Sequence, residues 1–86
     1  MLAGVSPRNV SPGDQVRLKV VGADAVLSSN VVVLNGSEVA IDEGSLRSGK
    51  GTLTVTLPGD TPVGTSSVYF TSNGEKSNEV TFEVTP

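Results

Sequence analysis

Apolar residues recur at every second position along most of this chain. Val16, Leu18 and Val20 alternate with Arg17 and Lys19, and Leu53, Val55 and Leu57 alternate with Thr52, Thr54 and Thr56. Ser66, Val68 and Phe70 alternate with Ser67, Tyr69 and Thr71, and Val80, Phe82 and Val84 with Thr81, Glu83 and Thr85. A period of two turns successive side chains to opposite faces, so these runs predict β-strands. One face of each is oily and the other carries hydroxyls or charge, the signature of antiparallel sheets with one face wet.

Three further segments fill in the pattern. Val31–Leu34 is a continuous apolar run that predicts a central strand, and Val39 with Ile41 predicts a short partner for it. Leu2 to Val5, resuming at Val10, predicts a first strand broken at Pro7, an edge position where a missing N–H does no harm. Asn35-Gly36 and Asn73-Gly74 mark hairpins, because both residue types tolerate positive φ. Pro12-Gly13-Asp14, Pro58-Gly59-Asp60 and Pro62-Val63-Gly64 mark sharper corners. One helical turn is the most that Asp24–Ser28 allows.

Together these elements predict an all-β, immunoglobulin-like antiparallel β-sandwich of about seven strands, in one domain over residues 1–86. The expected core is Val16, Leu18, Val20, Val31, Val33, Leu53, Val55, Leu57, Val68, Phe70, Val80, Phe82 and Val84.

Composition narrows the function. The 86 residues contain no His and no Cys. Most acid–base and nucleophilic arrangements are therefore out of reach, and the expectation is a protein that is not an enzyme and holds no cofactor. A carboxylate pair for glycoside hydrolysis finds little room for a cleft in so small a sandwich. The net charge of −3 argues against nucleic acid as partner. The basic residues Arg8, Arg17, Lys19, Arg47, Lys50 and Lys76 read as scattered, with only Arg17 and Lys19 on a common strand face. No apolar run reaches the roughly 20 residues that a membrane-spanning helix needs. The N-terminus shows no signal-peptide pattern, and its Met1 gives the expectation of a stand-alone small protein.

Several of the turn and strand motifs form an ordered set. Val10-Ser11-Pro12-Gly13-Asp14-Gln15-Val16 with Leu18, Val20 and Gly22, then Leu53 to Pro58 with Gly64, then Asn73-Gly74, Ser77-Asn78 and Val80-x-Phe82-x-Val84 follow one another along nearly the whole chain. The set resembles IPT/TIG domains. That resemblance implies an immunoglobulin-like fold and a role in spacing, dimerisation or partner contact. IPT/TIG domains serve such roles in bacterial surface proteins, cell-surface receptors, Rel-type transcription factors and, as accessory domains, starch-modifying enzymes.

Candidate contact residues are few. Tyr69, the single tyrosine, points away from the core if Val68 and Phe70 point in, so it is placed to anchor a partner or to stack on a sugar. Val26, Leu27 and Val63 are apolar residues in loop ends. Asp42-Glu43 with Asp24 or Asp60 offers oxygens for a hard cation, but in no known loop spacing, so no metal is expected. An amide crosslink from Lys19 to Asn30 or Asn78 requires a buried Lys19, which the alternation turns to water. Asn9-Val10-Ser11 and Asn35-Gly36-Ser37 fit the glycosylation triplet, although the turn alone accounts for the second. These residues predict a non-catalytic, protein-binding module of a surface assembly, on a bacterial cell surface or as a decoration or cement subunit of a phage virion. The alternative is a carbohydrate-binding accessory module with Tyr69 as its platform.

Overall fold

The computed structural model describes residues 1–23, 29–47 and 50–86. Two β-sheets pack face to face. One joins β1 (Leu2–Ser6), β3 (Gln15–Val21), β7 (Lys50–Thr56) and β6 (Ile41–Arg47) in the order β1-β3-β7-β6. The other joins β2 (Asn9–Val10), β10 (Val80–Val84), β8 (Gly64–Ser72), β4 (Asn30–Leu34) and β5 (Ser37–Val39) in the order β2-β10-β8-β4-β5, with the short β9 (Glu75–Lys76) on β8. All pairings are antiparallel except that of β2 with β10. Asp24–Ser28, where one helical turn is the most expected, lies outside the described residues.

The expected first strand is divided between the sheets. Before Pro7 it pairs with β3; after Pro7 it runs alongside β10 in the opposite sheet. Leu2, Val5 and Val10 bury their side chains on the way, so the crossing closes one side of the sandwich. Asn78 ties the crossing down. Its Oδ1 accepts from the Leu2 N–H at 2.8 Å and its Nδ2 donates to the Leu2 carbonyl at 3.0 Å, in the manner of a neighbouring strand.

The core is aliphatic, with Leu18, Leu53, Leu57, Val16, Val20 and Val55 almost fully buried against Val68, Phe70, Phe82 and Val84. Three sequence expectations change. In β4 the residues that join the core between the sheets are Val32 and Leu34, because they lie opposite Phe70 and Val68 and opposed residues share a face; Val33 is buried as expected, but on the outer side opposite Tyr69, and Val31 is half-buried. An unbroken apolar run has no alternation to set its phase; pairing with β8 sets it. Val80 is only half-buried at the start of its strand. Val39 and Ile41 belong to different sheets, since the chain crosses between them at Ala40.

The ends of the described chain lie at opposite poles. The Met1 carbonyl accepts from the N–H of Val21, the last residue of β3. Pro86 accepts from the Ser11 hydroxyl, and Ser11 is joined to Asp14, the residue before β3. Seven residues of strand separate the two, roughly 20 Å at about 3.3 Å per residue. The molecule is elongated, 36 × 20 × 19 Å.

Candidate functional site

Strand register decides which polar side chains meet on the outer faces. On the sheet β1-β3-β7-β6, Gly4, Lys19, Thr52 and Ser45 form one row across all four strands. Ser6, Arg17, Thr54 and Glu43 form the next. A third row, through Val21, Lys50 and Arg47, lies toward the Met1 pole. Four of the six basic residues therefore share one face: Arg17, Lys19, Arg47 and Lys50. The expectation that the cations are scattered is corrected. Arg17 and Lys19 declare themselves by alternation within β3, but Arg47 and Lys50 join them only because β7 pairs with a strand some thirty residues earlier.

The face is concave where side chains are small. Gly4, Ser6, Arg17, Lys19, Thr52 and the backbone side of Val5 line an open groove of about 300 Å³. A Cβ built on Gly4 would meet nothing within 4 Å, so the β1 edge of the groove is bare backbone. Acidic residues gather at the far corner, where Glu43 follows the irregularity in β6 and Asp42 accepts a hydrogen bond from the Thr56 hydroxyl at 2.5 Å. Among the described residues, the single salt bridge joins Lys76 to Glu79 on the other sheet.

The outer face of the second sheet is built differently. Tyr69 lies opposite Val33 and is half-buried, with the Lys76 ammonium 4.3 Å from its ring centroid. Lys76 also bonds Glu79 at 3.2 Å, and Glu83 accepts from the Thr65 hydroxyl at 2.7 Å. Glu38, opposite Val33, adds a further carboxylate. One ring face of Tyr69 is thus taken by a cation–π contact, and no second aromatic shares the sheet surface.

The remaining candidates disperse. Val63 is 60% exposed in the loop between β7 and β8, at the Pro86 pole. Val26, Leu27 and Asp24 lie outside the described residues. No three acidic side chains converge among the described residues. Lys19 faces solvent and Asn78 is engaged with Leu2, so the two are not poised for an amide crosslink. Asn35 adopts φ 49° in its turn, donates to buried Ser66 Oγ at 3.0 Å and accepts from the Ser67 N–H at 2.9 Å. Its amide is structural.

Comparison with known proteins agrees with this architecture. No protein-family model and no curated protein matches the chain. Among solved structures, 93% of the chain superposes on part of SGBP-B of the Bacteroides ovatus mixed-linkage glucan utilization locus, solved in complex with a mixed-linkage heptasaccharide (TM-score 0.64, 21% identity). The chain spans 20% of that protein's length. It also superposes on the Lin-41 filamin domain over 99% of its own length and 90% of that domain (TM-score 0.57, 18% identity). The fold is immunoglobulin-like. The immunoglobulin-like sandwich thus stands here on both pattern and superposition, and its sites must be argued from its own residues.

Proposed function

We propose that the chain is a non-catalytic immunoglobulin-like module, of IPT/TIG type, that spaces and contacts other proteins in a surface assembly. The observation that carries this reading is polar geometry. The chain enters at one pole and leaves at the other, and a sandwich so traversed transmits position along its long axis. The two large hydrophobic residues most exposed among those described, Met1 and Val63, sit at these opposite poles. Val63, exposed at the Pro86 pole, offers a contact point for a neighbouring unit. The superposition on one-fifth of a multi-part glycan-binding protein supports the same role, since there a unit of this shape is one segment of a longer chain.

The setting, a bacterial cell surface or a phage virion, is tested by retention of the purified chain on cell-wall fractions and on capsids. Retention on one of them, reduced by Val63→Asp with no change in melting temperature, is the expected result. A chain that stays monomeric and is retained on neither contradicts the proposal. A second reading, carbohydrate binding through Tyr69, draws on the glycan complex of the Bacteroides protein. Lys76 over the ring leaves Tyr69 one free face at most. Tyrosine fluorescence that stays constant on titration with starch, cellulose and peptidoglycan fragments would eliminate this reading.

A further inference from the structure

We propose that the outer face of the sheet β1-β3-β7-β6 binds an acidic polysaccharide, one bearing carboxylates along a hydroxylated chain. Four cations stand on this face of a protein whose net charge is −3, with the carboxylates of Asp42 and Glu43 confined to its far corner on β6. Arg17 and Lys19 are two residues apart on one strand face, roughly 7 Å at about 3.3 Å per residue, and both are exposed. Among the described residues no salt bridge engages them. Like charges held this close raise the local positive potential, and an anionic ligand relieves it.

The groove beside them defines what kind of anion fits. Arg17 offers a planar fork that matches a carboxylate through two parallel hydrogen bonds, and Lys19 offers a rotatable ammonium. The Thr52 and Ser6 hydroxyls both donate and accept, as sugar hydroxyls require. Bare backbone at Gly4 lets a bulky polymer approach closely. Arg47 and Lys50, one row beyond Lys19, extend the positive track toward the Met1 pole, so a chain of several sugars meets more than one cation.

Other polyanions fit less well. Single-stranded nucleic acid takes much of its affinity from bases stacked on aromatic side chains, and this face has none. A protein contact draws most of its energy from buried Trp, Tyr and Arg anchors, and this face offers arginine without an aromatic. Here the centre is Arg17, Lys19, Thr52 and Thr54.

The experiment uses the chain as it stands, with oligogalacturonate as the probe and calorimetry or an affinity gel as the readout. The expected result is saturable binding that weakens as salt rises. It falls about tenfold for each cation removed in Arg17→Gln and Lys19→Gln, while the melting temperature holds. A neutral mixed-linkage glucan should bind far more weakly. Absence of oligogalacturonate binding overturns the proposal, as does affinity unchanged in the R17Q/K19Q double variant. Equal or tighter binding of poly-glutamate or single-stranded DNA overturns it too, because the face would then read charge and not sugar.

Discussion

The two outer faces of the sandwich are made from the same strand pattern and end with opposite characters. On β3 and β7 the outward positions hold Arg17, Lys19, Lys50 and three threonines, with Arg47 beside them on β6. On β8, β10 and β5 they hold Tyr69, Thr65, Glu83 and Glu38. The second face settles its own charges: Lys76 caps the Tyr69 ring and pairs with Glu79, and Glu83 takes the Thr65 hydroxyl. The first settles only its acidic corner, where Asp42 takes the Thr56 hydroxyl, and leaves Arg17 and Lys19 facing solvent around a groove. Internally satisfied groups gain little from a partner, whereas uncompensated charge over bare backbone gains much. The difference separates a face that completes the fold from one available for recognition.

The largest effect comes from removing what both faces rest on. Phe82 is 3% exposed between the sheets. Phe82→Ala should cost about 3–5 kcal/mol and unfold a domain of this size at ordinary temperatures, erasing both faces at once. Loss of the cooperative thermal transition by circular dichroism is the check.

A smaller and one-sided effect is expected at Gly51. Its φ is +154°, and a Cβ there would lie 1.8 Å from the Ser45 carbonyl oxygen on β6. Gly51→Ala should cost roughly 2 kcal/mol or more through backbone strain and the forced separation of β6 from β7. Amide hydrogen exchange should quicken along β6 and β7 while β8 and β10 stay protected. Uniform loss of protection would show that the sheets do not respond separately.

Smaller still is Lys76→Ala. It removes an exposed cation–π contact and a solvent-exposed ion pair, together worth about 1 kcal/mol, from the second face only. The midpoint of urea unfolding measures it. The smallest effect on stability belongs to the face argued to bind: R17Q/K19Q should move stability by no more than about 0.5 kcal/mol in either direction, since both side chains point to water.

Much of the fold was legible because alternation and turn chemistry are local. Val16–Val20, Leu53–Leu57 and Phe82–Val84 declare their buried sides by period two, and Asn35 and Asn73 adopt the positive φ that their turns imply. What was not legible is non-local. The phase of Val31–Leu34 depends on β8, and the division of the first strand between two sheets depends on β3 and β10. The basic face has the same cause. Arg47 and Lys50 look unremarkable beside Ser48-Gly49, and only the pairing of β7 with β3 brings them to Lys19. Side-chain type alone marks Tyr69 as a platform; its Lys76 cover comes from the β8–β9 hairpin, with Lys76 opposite Thr71.

The most direct test of this contrast is an amide chemical-shift map of the chain titrated with oligogalacturonate. Shifts should concentrate at Gly4, Ser6, Arg17, Lys19 and Thr52, with Tyr69, Ser67 and Glu83 unmoved. Shifts centred on Tyr69 and Lys76, or no saturable shift at all, would contradict it.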